Sequence, residues 1–362
     1  MILQSIQLLR AIAAIMVVVF HANSLVAEKI PSHKFSNTGA AGVDLFFVIS
    51  GFVMVYSCRN LFAQRGAFSG FLLKRAIRIL PTYYLFTTLT LCILIFLPHL
   101  YENMELRIHR VIASYALILT EDSLNIPGTI VGVGWTLAFE AWFYLNFAWI
   151  LCFSRRWMLP LLLMVFLIGT ASHWWLPSIP AFWIVASNPL VFEFLFGCVI
   201  ALAFQQNIVI SPAISVLCIV VGSIALAVAG QYAWVVYFLD TDRIWAFGIP
   251  SALIVAGTTN LEQHCSKFRI PFPVLLLGDS SYSLYLSHTY VQHAIVIWIT
   301  PGVAPLGIIP LVLCTVMVSL SVLVAIVCYQ CFEKPVTAML KCKFSRSLSP
   351  TETRPQQISQ RI

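Results

Sequence analysis

Long apolar runs separated by short polar breaks recur along the whole chain, near residues 6–26, 40–58, 79–97, 131–152, 157–174, 188–205, 212–230, 244–260, 274–299 and 305–331. At about 1.5 Å of rise per residue, runs of this length cross a hydrocarbon core of about 30 Å as helices. The pattern predicts an all-α integral membrane protein with about ten transmembrane helices in one bundle. The first run begins close to Met1 with no basic stretch before it and no small-residue cleavage site after it, so it reads as a retained helix rather than a signal peptide. No repeat at a fixed period is visible, which disfavours the inverted-repeat transporter folds. From residue 333 the composition shifts to Ser, Pro, Gln, Lys and Arg. Residues 1–335 are therefore expected to form one membrane domain and 336–362 a disordered cytoplasmic tail, with no soluble second domain.

Composition agrees with the pattern. The 362 residues are 60% hydrophobic and only 10% charged, against roughly a quarter charged in soluble domains, so lipid must serve as part of the solvent. The ten cysteines fall in spans or on the side assigned below to the cytoplasm and imply no disulfide framework. Cys328 and Cys331 form a lone C-x-x-C with no second pair nearby to complete a metal site, and read as two small apolar residues one turn apart. No metal is expected.

The net charge of +7 is dispersed over many loops, which is a poor footprint for nucleic acid and a good one for topology. With both termini in the cytoplasm, the inner segments carry Arg59, Arg65, Lys74, Arg75, Arg78, Arg155, Arg156, Lys267 and Arg269 and the basic residues from Lys334 onward. Counting Arg10, 16 of the 21 basic residues lie inside, as the positive-inside rule requires. The longest outer loop, about 30 residues between the third and fourth spans, is a lead for a cover over an acceptor site.

An ionisable group inside hydrocarbon costs several kcal/mol, so the few that are kept there mark chemistry. Arg10 and His21 are eleven residues apart in the first span, which returns them to within about 20° of one helix face and separates them by roughly 16 Å. The plain alternative is a snorkelling arginine and a packing histidine. Asp44, in GVDLFFVISGF at 42–52, falls near the depth of His21. It either orients that imidazole or sits as an anion at a helix N-terminus. Gly42 and Gly51 in the same segment suit close helix packing. Arg75 and Arg78 are three apart, and two guanidinium forks suit phosphate; the alternative is an ordinary cytoplasmic anchor. Glu140, about nine residues into its span, must be paired, protonated or catalytic. His288 lies past mid-membrane with Tyr285 one turn away; it is either part of the chemistry or a core histidine satisfied by nearby hydroxyls. Asp279 and Glu193 read as structural.

Taken in order, the R-x10-H of Arg10 and His21, GVDLFFVISGF at 42–52, the R-x-x-R at 75–78, WTLAFE at 135–140, SYSLYLSH at 281–288 and FEKP at 332–335 resemble the motifs of the membrane-bound acyltransferase 3 family. The resemblance spans residues 5–335. It implies transfer of an acyl group, commonly acetyl from acetyl-CoA, to sugar hydroxyls. The lack of a fused hydrolase-like domain points within the family toward exopolysaccharide O-acetyltransferases of the bacterial inner membrane. The expected partners are acyl-CoA as donor substrate with no bound cofactor, a polysaccharide or lipid-linked oligosaccharide acceptor, and the bilayer; nucleic acid is not among them. Under that resemblance Arg10, Arg75, Arg78 and Tyr285 are expected to bind acyl-CoA. His21, with Asp44 or Glu140 in support and with His288, is expected to carry the chemistry, either as general base or as acceptor of the acyl group. The rival class is a transporter or flippase of a lipid-linked sugar, and a third is a structural subunit of an assembly complex.

Overall fold

A computed structural model describes residues 3–30, 33–100, 106–176, 178–232, 241–264, 269–299 and 308–344. Within the described residues each predicted span holds a helix, and the ninth holds two. In chain order the helices are α1 (Gln4–Lys29), α2 (Gly42–Ser57), α3 (Ala67–Phe96), α4 (Ile108–Tyr115), α5 (Trp135–Ile150), α6 (Met158–Ala171), α7 (Ile184–Ser187), α8 (Val191–Gln205), α9 (Pro212–Ala229), α10 (Ile249–His264), α11 (Phe272–Asp279), α12 (Ser281–Ile299), α13 (Ile309–Cys328) and α14 (Lys334–Lys343). The only strands among the described residues are the two-residue pair Thr120–Glu121 and Pro127–Gly128. The protein is an all-α integral membrane protein.

Eight of the helical segments are long and apolar enough to cross a membrane by themselves. The two predicted spans outside that set are α5, with 16 residues, and the α11–α12 pair, which is interrupted at Ser280. These are the helices that carry Glu140 and His288. α5 falls short in length and the other span is divided into two helices, and the polar side chains they carry are held by the bundle rather than by lipid.

The bundle closes through small residues. A Cβ at Gly51 would overlap the carbonyl oxygen of Phe194, and one at Gly197 that of Val48. α2 and α8 therefore touch backbone to backbone, as helices do in lipid where packing replaces the hydrophobic effect. A Cβ at Gly42 would likewise overlap the carbonyl oxygen of Ala13, so the start of α2 packs closely on α1. An aromatic core of Phe47, Phe139, Phe143, Phe147 and Phe194, all essentially inaccessible, fills the space between α2, α5 and α8.

Three boundaries depart from the sequence reading. α3 begins at Ala67, well before 79, so Arg75 and Arg78 sit in the helix that makes the span. Two π-helical turns, Ile244–Gly248 and Tyr329–Glu333, open the eighth span and close the tenth; turns of this kind are frequent at functional sites. The second continues into α14 as far as Lys343, with Lys341 and Lys343 in its last turn. The expected disordered tail from 336 is thus corrected: Pro335 stands in the first turn of α14, where it costs no hydrogen bond, and the helix continues past it. The rest of the predicted tail lies outside the described residues.

Candidate active site

Five spans, α1, α2, α3, α5 and α12, surround two cavities placed end to end. The first, about 200 Å³, is an arginine chamber lined by Gln7, Arg10, Arg75, Arg78, Glu140 and Ser281 among others. Arg10 donates to the side-chain oxygen of Gln7 at 3.0 Å and to the Ser281 hydroxyl at 2.9 Å. Gln7 in turn donates from its amide nitrogen to Asp279 at 2.6 Å, so the break between α11 and α12 serves to aim a guanidinium. Arg75 lies over the rings of Phe71 and Tyr144, 5.5 and 5.8 Å from their centroids, and donates to the Ser57 hydroxyl at 3.4 Å. Arg78, one turn on, makes no hydrogen bond or salt bridge among the described residues and lines the chamber. Glu140 adjoins the Ser50 and Tyr144 hydroxyls and lies within electrostatic reach of Arg75 and Arg78. Glu333, delivered by the second π-helical turn, accepts from Ser283 and faces Arg10 and Arg78. Three guanidinium groups thus line one cavity, a chemistry that suits an anion such as phosphate.

The second cavity, about 600 Å³, is lined by His21, His293, Arg243, Trp135, Tyr285 and Tyr290 among others. The rings of His21 and His288 lie 5.1 Å apart, centroid to centroid. Nδ1 of His288 is 3.0 Å from the carbonyl oxygen of Leu284, and Nδ1 of His293 is 2.7 Å from that of Thr289. A carbonyl only accepts, so in each neutral ring Nδ1 carries the proton and Nε2 keeps a bare lone pair. Nε2 of His288 is buried with no hydrogen-bond partner among the described residues. Gln292 donates to the carbonyl of Val18 at 2.9 Å and so pins α12 to α1 beside this pair.

Val43 and Tyr285 line both cavities. The Tyr285 hydroxyl is 2.8 Å from that of Thr136 and donates to the carbonyl of Val133 at 3.1 Å. The partition between the arginines and the histidines is therefore one side chain thick, with a hydroxyl pair in it. The long loop between α3 and α5 reaches the second cavity through Leu100, Gly132 and Val133. Its anchor is Ser114, whose carbonyl accepts from Tyr83 at 2.8 Å and whose hydroxyl accepts from the Ile130 amide at 2.9 Å.

The structure brings together Arg10, Arg75, Arg78 and Glu140 on one side and His21 with His288 on the other, and it sets Tyr285 between them. Two sequence expectations are corrected. Asp44 does not orient His21: Nε and Nη2 of Arg243 donate to its two oxygens at 3.0 and 2.6 Å, and both residues are buried. A carboxylate removed from water needs a full counter-charge, which a neutral imidazole cannot supply. Glu140 does not support His21 either; it belongs to the arginine chamber, one helical turn beyond Thr136. Glu193, read as structural, packs behind the Asp44–Arg243 pair. Residues the sequence reading missed are Arg243, His293, Gln7 and Glu333. Only Glu333 had a signal, its place in the FEKP motif.

A family model described as an acyltransferase domain matches residues 3–330. The exopolysaccharide production protein ExoZ of Rhizobium meliloti is 34% identical over 275 residues, covering 75% of this chain and 80% of ExoZ. The peptidoglycan O-acetyltransferase OatA of Listeria monocytogenes is 24% identical over 78% of this chain and 48% of its own length. The O-acetyltransferase OatA of Staphylococcus aureus is 24% identical over 91% of this chain and 56% of its own length. The chain thus spans about half the length of the OatA relatives. No solved structure matches.

Proposed function

The chain belongs to the acyltransferase 3 family, and from that premise we propose that this membrane O-acyltransferase takes an acetyl or other short acyl group from acyl-CoA in the arginine chamber. It delivers the group to a sugar hydroxyl of an exopolysaccharide or lipid-linked glycan in the histidine cavity. The observation that carries this reading is the shared wall: Arg10, Arg75 and Arg78 line one cavity, His21 lines the other with the His288 ring 5.1 Å behind it, and Val43 and Tyr285 line both. A donor with a phosphorylated handle and a short reactive end fits that division. Its phosphates meet Arg10, Arg75 and Arg78, and its thioester reaches the wall.

In the direct route a ring nitrogen of His21 takes the hydroxyl proton as the sugar oxygen attacks the thioester carbonyl. The tetrahedral intermediate collapses, the C–S bond breaks, and the proton passes to the CoA sulfur. His288, whose ring lies 5.1 Å from that of His21 and whose Nε2 makes no hydrogen bond among the described residues, is placed to accept an N–H of His21 during turnover and so orient that ring. In the covalent route His21 accepts the acyl group first, which demands ping-pong kinetics and a trappable acyl-enzyme.

Arg75 and Arg78 of the chamber and Arg59 of the cavity beside it belong to the basic segments that the charge count assigns to the inside, which supports a cytoplasmic donor side, both termini inside and, within this proposal, residence in the inner membrane. The transporter reading draws no support from the comparisons. The deciding experiment is incubation of purified protein with acetyl-CoA and surface polysaccharide from a deletion strain, read by mass spectrometry. Acetyl esters appearing only with active protein support the reading, and an unmodified polymer with intact acetyl-CoA overturns it.

A further inference from the structure

The arginine chamber is too small for the donor it is assigned. Its volume of about 200 Å³ lies below the roughly 300–1,000 Å³ of sites that enclose drug-sized ligands, and a CoA thioester is at least of that size. The remainder must extend into space continuous with the chamber. A side cavity of about 410 Å³ adjoins it and shares Ile6 and Val53 as lining residues.

That side cavity carries the features a nucleoside phosphate needs. Tyr56 lines it, with its ring stacked on Phe52 at 5.8 Å and 16° and braced edge-on by Phe204 at 5.8 Å and 77°. An aromatic ring fixed on two sides is a rigid platform for a planar base. Arg59 lines the same space and is exposed, as is Ser57. Ser57 accepts from Arg75, so the arginine of the chamber and the mouth of the side cavity are directly connected. The charge runs from Arg59 at the rim to Arg75 and Arg78 within.

We infer that the side cavity between α1 and the end of α2 binds the 3′-phosphoadenosine end of the donor, with the adenine against Tyr56 and the 3′-phosphate at Arg59. This rests on the acyl-CoA reading above and deepens it. The pyrophosphate then lies toward Arg75 and Arg78, and the pantetheine arm runs past Arg10 to Tyr285.

The test compares three donors on purified full-length protein: acetyl-CoA, acetyl-dephospho-CoA and S-acetyl-4′-phosphopantetheine. The readout is the ratio of kcat/KM values within each variant, which cancels differences in folded fraction. Wild type is expected to prefer acetyl-CoA over both truncated donors. Tyr56→Ala should reduce its preference over the phosphopantetheine donor by about five- to a hundredfold, the range for loss of one aromatic–base stack, and Tyr56→Phe should keep it. Arg59→Gln should abolish the preference for acetyl-CoA over the dephospho donor, a loss of about tenfold. Ratios that stay at the wild-type values in Tyr56→Ala and Arg59→Gln overturn the inference while leaving the acyl-CoA reading standing. If wild type turns over none of the three thioesters, the acyl-CoA reading itself fails and takes the inference with it.

Discussion

His288 holds its ring 5.1 Å from that of His21, with Nδ1 committed to the carbonyl of Leu284 and Nε2 buried without a hydrogen-bond partner among the described residues. A buried acceptor without a protein partner calls for an explanation in the fold or in the chemistry. The use available here is to receive an N–H of His21 and fix the orientation of that ring. His288→Gln should therefore lower kcat by about ten- to a hundredfold while leaving KM for acetyl-CoA near its wild-type value, because His288 does not line the arginine chamber. An unchanged kcat, or a loss confined to KM, would show that His288 only packs.

The arginine pair gives a complementary signature. Arg78 lines the chamber without a hydrogen bond or salt bridge among the described residues, and Arg75 rests on two aromatic rings. Each charge-assisted contact to phosphate is worth about 1.5–3 kcal/mol. Arg78→Ala is expected to raise KM for acetyl-CoA tenfold or more, with kcat less affected. A KM that does not move returns the pair to the role of a cytoplasmic anchor.

Asp44 makes the opposite prediction. Removing one partner of a buried ion pair leaves the other uncompensated, at about 3–5 kcal/mol, so Asp44→Asn should lower the melting temperature and yield of folded protein in detergent. Arg243→Gln in the same background should recover part of the stability by removing the stranded charge. Should Asp44→Asn fold normally yet lose activity as His21 variants do, the carboxylate has a role in the chemistry after all.

The sequence carried the features that depend on local helix geometry. The eleven-residue offset from Arg10 to His21 puts them on one face, and in the structure that face serves both cavities, Arg10 at one and His21 at the other. The depth of Glu140 was legible for the same reason. Its cavity was not, because that depends on which neighbour α5 meets. Asp44 and Arg243 are 199 residues apart, and no period or spacing links them. The FEKP motif marked a position, but the π-helical turn that swings Glu333 toward Ser283 has no sequence signature of its own. His293 went unread because its meaning lies in the cavity it faces.

Topology has a direct test. His109 is exposed on α4, within the connection between α3 and α5, and Cys342 is exposed in the last helix. In a background otherwise free of cysteine, His109→Cys should react with an impermeant thiol reagent added to intact cells. Cys342 should react only after the membrane is opened. Labelling of both positions in intact cells would remove the arrangement with both termini inside.

His21 stands where the two halves of the proposed chemistry meet, since it lines the second cavity, adjoins His288 and shares its helix with Arg10 of the first. General-base contributions run about 10²–10⁴-fold. His21→Ala should abolish detectable acetyl transfer, and His21→Asn, which keeps a hydrogen-bonding group but no useful base, should do little better. A packing histidine behaves differently: asparagine would restore most of the activity, and the deficit in the alanine variant would follow the amount of folded protein in the membrane. The quantity to measure is acetyl transferred per mole of folded protein in both variants. Near-normal specific activity in His21→Asn would take His21 out of the mechanism and move the base to His293, whose bare Nε2 belongs to a ring lining the same cavity.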